Sequence, residues 1–180
     1  ERTISFINGK GSIGHNARSF IADNVDASRT KNNVTLIHED IKQVYHKLFD
    51  KALDEYNAKQ KRKDRQIKSY YEKISRSKQE KLFYEVIVQI GNKDDTGVGS
   101  SAAEVVTWVL KDYVKMFQHR NPQLYVIGAY IHLDEETPHL HLNFVPWVSG
   151  CKRGLETKTS LKAALATRGF ASEGKGKTEW

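Results

Sequence analysis

The sequence predicts an α+β fold in which helices pack mainly on one face of an antiparallel β-sheet. Two observations lead to this prediction. Segments with strand and helix patterns follow one another in the order β-α-(α)-β-α-β-β-α, and only six residues separate the last two strands, which makes these two a hairpin. The chain has 180 residues, an ordinary length for one domain, and we expect a single domain over residues 1–180.

The first half of the chain predicts one strand followed by two helices. Residues 3–7 alternate polar and apolar side chains, as a short strand does, and the turn residues Asn8 and Gly9 follow. A glycine-rich loop then leads to His15. Over residues 37–56 the apolar side chains recur three and four positions apart, which predicts a helix. Residues 59–81 contain no glycine or proline and are rich in good helix formers, so we expect a second helix there.

The second half predicts three strands and two helices. Residues 82–90 are rich in β-branched and aromatic side chains, which favours a strand. Residues 102–117 show helical spacing of their apolar side chains. Residues 124–132 and 139–147 are the two strands of the hairpin, and residues 160–168 form a last short helix.

Lysine and arginine outnumber aspartate and glutamate by 29 to 22, and the whole excess lies in one segment. Residues 59–81 contain ten basic and three acidic side chains, so this segment alone accounts for the net charge of +7. Such a concentration of positive charge favours a polyanionic partner, although it is also common on a solvated helix face. Such a segment could follow phosphates while an aromatic ring stacks on an unpaired base. The residues concerned are Lys61, Arg62, Lys63, Arg65 and Tyr70.

Composition also limits the surroundings of the protein. No run of about 18 apolar residues occurs, so we expect no membrane span and no membrane contact by this domain. The only cysteine, Cys151, has no partner for an intramolecular disulfide, which fits a reducing compartment and predicts a cytoplasmic protein. The glycines and lysines of residues 169–177 predict a mobile basic tail.

The hairpin carries a cluster of histidines. Side chains alternate along a strand, so His139 and His141 project from the same face. If His132 lies opposite His139 in the hairpin, their β-carbons are about 4.5–5.5 Å apart on that face. Three neutral imidazoles can hold a divalent metal and leave positions open for water or a phosphate oxygen. Asp134 and Glu135, in the connection, could bind this metal, orient a ligand histidine or polarise another residue.

Other interpretations of the histidines are weaker. A single strand histidine is usually a structural residue, but three on one face favour a metal site. A zincin needs two histidines four apart on a helix, and Pro138 makes a helix implausible here. A cupin-like barrel would need a carboxylate soon after the pair, and residues 143–150 contain none. His38, His46 and His119 lack comparable neighbours in sequence and are interpreted as structural.

Three motifs resemble those of one enzyme family. Residues 132–141 read His-x-Asp-Glu-x-x-Pro-His-x-His, which resembles the metal motif of the MobV-type (Mob/Pre) plasmid mobilisation relaxases, members of the HUH endonucleases. Residues 14–18 resemble the family's His-Asn-x-Arg motif, and residues 26–36 resemble its second motif. Thr30 and Val34 replace a usual serine and a common aromatic residue, and neither change removes a group that the chemistry requires.

The resemblance implies an HUH-type relaxase fold and a metal-dependent nicking-and-joining enzyme. It would cleave one strand of plasmid DNA at an origin of transfer and stay bound to the 5′ phosphate through His15. The metal, Mn²⁺ or Mg²⁺, would be held by His132, His139 and His141, although imidazoles also accept Zn, Ni or Cu. Arg18 would contact the same phosphate and Glu135 would orient or polarise His15. Arg29 and Asn33 would contact DNA or support His15.

The resemblance also implies a longer protein, whose C-terminal part would contact relaxosome and coupling proteins in a bacterial cytoplasm. Three alternatives stay open. The same fold could use a tyrosine nucleophile such as Tyr45, Tyr70 or Tyr113, or it could be a non-catalytic DNA-binding module. A metal hydrolase or oxygenase acting on a small molecule is disfavoured by the basic segment.

Overall fold

The computed structural model describes residues 2–20 and 22–170, and these residues form two compact units. The first unit draws on Glu1–His38, Tyr84–Arg120 and Val126–Phe144. The second unit draws on Glu39–Phe83, Asn121–Tyr125 and Val145–Trp180. Within the expected basic tail, residues 171–177 lie outside the described residues.

A five-stranded antiparallel sheet is the main element of the fold. Its strands are β1 (Ile4–Asn8), β2 (Val34–His38), β3 (Tyr84–Ile90), β4 (Leu124–His132) and β5 (His139–Pro146). Their order across the sheet is β1-β3-β5-β4-β2, and β3 pairs antiparallel with both β1 and β5. All of β5 and nearly all of β4 are buried, which agrees with the apolar character of both strands.

The predicted α+β class and antiparallel sheet are confirmed, and four of the five strands were predicted. The sequence prediction missed β2 and started a helix at Ile37 instead. This strand is short, lies at the sheet edge and has mostly exposed side chains, so it lacks a clear alternation. It is held by antiparallel pairing with β4, with an irregularity between Thr35 and Ile37.

The first unit contains one long helix and two single turns. They are α1 (Ile13–Asn16), α4 (Lys93–Thr96) and α5 (Ser101–Arg120). Helix α5 buries Val106, Leu110, Val114 and Phe117, the stripe that its apolar spacing predicts. The Phe117 ring lies 5.8 Å from the ring of Phe144 on β5, so α5 packs against the sheet.

The second unit contains α2 (Ile41–Ala58), α3 (Tyr70–Ser75) and α6 (Leu161–Ala166). Helix α2 begins at Asp40, whose carboxylate accepts a hydrogen bond from the Gln43 amide at 2.9 Å. Its buried face places Tyr45 and Phe49 against Tyr70 of α3, with ring centroids 6.1 and 4.9 Å from that of Tyr70. This aromatic cluster is the centre of the second unit's core.

The predicted helix over residues 59–81 is wrong. Helix α2 ends at Ala58, and only α3 and a short 3-10 turn at Lys63–Arg65 are helical within the segment. Ten basic side chains repel one another, and the segment buries only Tyr70 and Ile74, too little apolar surface to stabilise a long helix. Among the residues that the structure describes, no helix is long and apolar enough to cross a membrane.

Candidate active site

The three histidines of the hairpin converge on one point. The ring centroids of His132 and His139 are 5.2 Å apart, those of His132 and His141 are 4.5 Å apart, and those of His139 and His141 are 5.0 Å apart. One ring nitrogen of each lies within 4.8 Å of the others. The alternation of strand side chains predicts this convergence, because His139 and His141 face the same side of β5.

Each of these rings donates one N–H to an oxygen and presents its other nitrogen to the shared space. The donors are His132 Nε2 to the Asn16 carbonyl at 2.8 Å, His139 Nδ1 to the Thr137 carbonyl at 2.9 Å and His141 Nδ1 to Glu85 Oε1 at 2.7 Å. The lone pairs left over belong to His132 Nδ1, His139 Nε2 and His141 Nε2. Hydrogen bonds of this kind fix the tautomer of metal-ligating histidines.

The free nitrogens fit a divalent metal. His132 Nδ1 and His141 Nε2 are buried without a hydrogen-bond partner among the described residues, and such atoms are rare unless a ligand satisfies them. Burial lowers the pKa of His132 to about 3 and also lowers the pKa of His139, so these rings stay neutral and able to donate a lone pair. Three imidazole donors of this kind suit a metal with open coordination positions.

His15 lies beside this cluster. It is on α1, whose first turn is capped by Ser12, and its ring centroid is 6.1 Å from that of His132 and 6.0 Å from that of His141. Burial, followed by the charge of Arg18, lowers the pKa of His15, so the ring is neutral at pH 7. Arg18 Nη1 lies 3.3 Å from His15 Nε2, and because a guanidinium only donates, Nε2 is the acceptor.

His15 and two of the three histidines open onto one cleft. Its volume is about 620 Å³, and its wall includes His15, His139, His141 and Glu135. Lys93 also lines it and places a positive charge at the rim. A cleft with convergent polar groups and nitrogens of lowered pKa is a good candidate for an active site.

Arg18 is held by carboxylates. Its side chain is only 6% exposed, and its Nε and Nη2 donate to the two oxygens of Asp134 at 2.9 and 2.6 Å. Nη2 also donates to Glu135 at 2.8 Å. The bidentate side of the guanidinium faces Asp134 and Nη1 points toward His15, and the expected contact with the phosphate stays a prediction. Its φ of 54° is unusual for a non-glycine residue, and these contacts hold it there.

Asp134 connects the hairpin to the second sequence motif. It is fully buried and also accepts hydrogen bonds from Thr30 Oγ1 at 3.0 Å and Asn33 Nδ2 at 2.6 Å. Burial raises the pKa of Asp134, but these bonds and Arg18 outweigh it and hold the pKa at about 2. Asn33 accepts a further bond from the Leu133 amide at 2.7 Å, so it holds the start of the hairpin connection, and its expected contact with DNA or support of His15 stays a prediction. Arg29 pairs with Asp26 at 2.8 Å.

Glu135 lies between Arg18 and the histidines. Its Oε1 is 3.8 Å from His132 Nδ1 and 3.8 Å from His139 Nε2, and its Oε2 accepts a bond from Asn24 at 3.0 Å. Among the described residues it has no hydrogen bond to His15. Its charge nevertheless acts directly on His15 by raising the pKa of that ring, against the larger effects of burial and Arg18 that lower it. The expected role of Glu135 in orienting or polarising His15 stays a prediction.

Sequence reasoning missed Glu85. It is a buried residue of β3 whose carboxylate accepts hydrogen bonds from His141 Nδ1, from Asn16 Nδ2 at 2.5 Å and from the Gly11 amide at 2.7 Å. Burial raises the pKa of Glu85, but these bonds hold it below the ordinary value. A lone carboxylate inside an apolar strand was the available signal, because such a group needs buried partners.

Comparison with known proteins gives a family. The Mob_Pre model, described as a plasmid recombination enzyme, matches residues 12–167. The chain belongs to the Mob/Pre family of plasmid recombination enzymes. No curated protein matches the chain.

The solved structures that resemble this Mob/Pre chain include MobM relaxase domains (MOBV). One is Mn-bound, is in complex with plasmid pMV158 oriT DNA and was crystallised at pH 5.5. It is 23% identical, covers 90% of this chain and 75% of its own, and has a TM-score of 0.51. Another, with a 3′-thiophosphate DNA at pH 6.8, is 23% identical over 99% of this chain and 95% of its own, with a TM-score of 0.48. The first likeness confirms the relaxase-type fold.

The basic segment of this Mob/Pre chain is mostly exposed. Lys61, Lys63 and Arg65 are exposed, and Arg62 pairs with Asp64 at 2.6 Å. Tyr70 is different, because it is 5% exposed and its hydroxyl accepts a hydrogen bond from the Thr159 amide at 3.2 Å. The expectation that Tyr70 stacks on a DNA base is wrong, because it is a core residue.

The tyrosines considered as alternative nucleophiles of this Mob/Pre chain are poorly suited to that role. Burial raises the pKa of Tyr45, Tyr70 and Tyr113, to about 12 for Tyr70, which disfavours the phenolate. The Tyr45 hydroxyl donates to the Leu82 carbonyl at 2.7 Å. Within the described part of the chain, no tyrosine lines the cleft that His15 shares with the metal-ligand candidates.

Proposed function

We propose that this Mob/Pre domain is a relaxase that nicks one strand of plasmid DNA at an origin of transfer and later rejoins it. His15 would be the nucleophile. The observation that carries the proposal is the approach of the His15 ring to about 6 Å from His132 and His141, in a cleft that no tyrosine lines among the described residues. The MobM relative, bound to oriT DNA and Mn, supports the same substrate class.

His132, His139 and His141 would hold the metal through the nitrogens that carry free lone pairs. A divalent metal there would neutralise charge on the scissile phosphate and make its phosphorus more electrophilic. Affinity order alone favours Zn, Ni or Cu at three imidazoles, but the Mn of the MobM relative supports Mn²⁺, with Mg²⁺ as the other candidate.

The chemistry of His15 is a phosphoryl transfer in two reversible halves. Arg18 Nη1 must first release the lone pair of Nε2, which then forms a bond to phosphorus while the bond from phosphorus to the 3′ oxygen breaks. The imidazole loses its Nδ1 proton as the phosphoramidate forms, and the 3′ oxygen gains one proton to become a hydroxyl, so the protons balance. Rejoining reverses each step, because the 3′ hydroxyl attacks phosphorus and the nitrogen leaves. A lowered pKa of His15 supports this role by keeping Nε2 unprotonated.

Arg18, Glu135 and Asp134 would prepare His15 for attack. Arg18 orients the His15 ring through Nη1 and adds positive charge next to the phosphate. Asp134 and Glu135 keep the guanidinium in place, so we assign both to positioning. Asn33 supports Asp134 from the second motif.

DNA contact and cellular setting complete the proposal. Lys61, Arg62, Lys63 and Arg65 would contact the phosphate backbone, and Arg29 would contribute a further positive charge. The chain would act as one nicking domain of a longer cytoplasmic bacterial protein. Its remaining part would contact relaxosome and coupling proteins.

The test is a covalent-adduct assay with a single-stranded origin oligonucleotide and Mn²⁺. We expect His15→Ala to lose the adduct completely, while His46→Ala keeps it, because His46 is exposed and its ion-pair partner among the described residues is Asp50. The adduct should hydrolyse in mild acid, as a phosphoramidate does and a phosphotyrosine ester does not. An adduct that persists in His15→Ala would support a tyrosine nucleophile instead. Binding without any nicking would support the non-catalytic module.

A further inference from the structure

The carboxylate of Glu85 joins three separate parts of the first unit. It lies on β3, in register with Asn143 and diagonal to His141 on β5, with its side chain facing the same side of the sheet as His141. Its Oε1 accepts hydrogen bonds from His141 and Asn16, and its Oε2 accepts one from the Gly11 amide. The side chain is only 3% exposed, so water does not replace these donors.

Two of the three donors come from the chain segment that carries His15. We call residues 9–16 the nucleophile segment. Besides the two bonds to the carboxylate, the Gly9 amide donates to the Glu85 carbonyl at 3.0 Å. Both ends of the nucleophile segment are therefore fastened to this one residue of β3, on either side of the loop that leads into α1.

Asn16 extends the connection to a second histidine. Its side chain donates to Glu85 and, at 3.1 Å, to Asn143 Oδ1, while its carbonyl accepts the hydrogen bond of His132 Nε2. Glu85 thus touches one candidate metal ligand directly and reaches another through Asn16. The hydrogen bond that orients His132 is also one that docks the nucleophile segment. The carboxylate that orients His141 docks the same segment through two other hydrogen bonds, from Gly11 and Asn16.

Gly9 makes this docking possible. A β-carbon at Gly9 would overlap the Glu85 carboxylate, so any other residue at this position forces the Glu85 side chain out of its place. Gly9 contributes no side chain to the site, so the need for a glycine at this position does not depend on any histidine.

We propose that Glu85 is a positioning residue that couples metal binding at His132, His139 and His141 to the docking of the nucleophile segment. The inference rests on the proposed function for the identity of the metal site and of His15. Coupling of this kind is reciprocal. If the docked segment orients two ligands for the metal, then metal binding must stabilise the docked segment by the same factor.

The experiment compares the whole 180-residue chain with three variants. Glu85→Gln keeps the shape of the side chain, but its amide nitrogen must face at least one of the three donors, since both carboxylate oxygens accept hydrogen bonds. Gly9→Ala disturbs the same approach from the other side, because it displaces the Glu85 carboxylate without removing any hydrogen-bonding group from the chain. Glu104→Gln is the matched control, because it makes the same substitution at an exposed position of α5.

Two quantities are measured for each protein: Mn²⁺ affinity by calorimetry, and hydrogen exchange of residues 9–16 with and without Mn²⁺. For the original chain we expect Mn²⁺ to slow exchange in residues 9–16. Glu85→Gln should weaken Mn²⁺ binding about 10- to 100-fold, the usual effect of losing a hydrogen-bond partner of a ligand histidine, and should abolish the slowing. Gly9→Ala should change both quantities in the same direction, and Glu104→Gln should change neither.

Other results would overturn the inference. Mn²⁺ affinities of Glu85→Gln and Gly9→Ala within twofold of the original chain would refute a positioning role. Weaker binding by Glu85→Gln with the same Mn²⁺-dependent slowing would refute the coupling, because Glu85 would then act only on His141. Failure of the original chain to bind Mn²⁺ would overturn the proposed metal site itself. If Glu85→Gln does not fold, Gly9→Ala alone decides between these outcomes.

Discussion

Replacing Asp134 by asparagine tests the buried network that holds Arg18. The carboxylate has no exposed surface and accepts four hydrogen bonds, from Arg18 Nε and Nη2, Thr30 Oγ1 and Asn33 Nδ2. Asparagine has nearly the same shape but no charge. Its amide nitrogen must point at one of these donors, so the substitution leaves Arg18 incompletely paired in a buried place.

The pKa of Asp134 gives the size of the effect. Its value falls from 3.8 to about 2 on folding, and a shift of one unit corresponds to about 1.4 kcal/mol. The charged form is therefore stabilised over the neutral form by about 2.5 kcal/mol. Asparagine resembles the neutral acid, and its amide N–H group also faces one of the hydrogen-bond donors that the carboxylate accepts from. We therefore expect the free energy of unfolding to fall by about 2–4 kcal/mol.

Urea unfolding at pH 7, followed by circular dichroism, measures this decrease. Asp64→Asn is the matched control, because Asp64 pairs with Arg62 in a bridge whose side chains are 61% and 66% exposed, and exposed pairs contribute about 1 kcal/mol or less. We expect the control to change the free energy of unfolding by about 0.5 kcal/mol. Equal, small decreases for both variants would refute the interpretation of Asp134 as the buried anchor of Arg18.

The same shift predicts a dependence on pH. Because the folded pKa of Asp134 lies below the unfolded value, its contribution is fully present above about pH 4 and is lost as the pH falls toward about 2. The difference in stability between the original chain and Asp134→Asn should therefore narrow below pH 4. A difference that stays constant between pH 5 and pH 2.5 would contradict the depressed pKa.

Three further predictions concern catalysis, DNA binding and the core. Burial and Arg18 lower the pKa of His15, so the rate of single-turnover nicking, measured as the pH is decreased, should still exceed half its maximum at pH 6.5, the pKa of an ordinary histidine. A rate that has already fallen to half at pH 6.5 or above would contradict this prediction. Replacing Lys61, Lys63 and Arg65 by alanine should make the plot of log binding constant against log salt concentration less steep, by about 0.7–0.9 for each phosphate that the variant no longer neutralises. An unchanged slope of this plot would exclude the basic segment from the DNA interface. Tyr70→Phe removes the acceptor of the Thr159 amide and should cost about 1 kcal/mol of stability while the covalent DNA adduct forms normally; absence of the adduct would revive the tyrosine nucleophile.

Local patterns predicted the parts of the fold that depend on neighbouring residues. Helix α5 and strands β3, β4 and β5 follow the apolar period of their sequences closely. The basic segment did not follow its helix propensity, because propensity counts each residue separately and takes no account of charge repulsion or of the apolar surface available for packing. Asn57 closes part of this segment as a loop by hydrogen bonding both the amide and the carbonyl of Ile67, at 2.9 Å each.

The sequence by itself identified the histidines of the site. The period of two along β5 places His139 and His141 on one face, and the short connection returns β5 beside His132. These two relations join residues close in the chain, and strand geometry is enough to derive them. His15 was identified by the resemblance of its motif to that of the family.

Only the tertiary structure decided how those groups are held. Glu85 meets His141 across 56 residues, and Arg18 meets Asp134 across 116 residues. Such pairs depend on strand register and on how the first loop lies against β3, which no local period specifies. The buried partners then fix which nitrogen of each histidine is free, and that choice allows the three rings to share one metal.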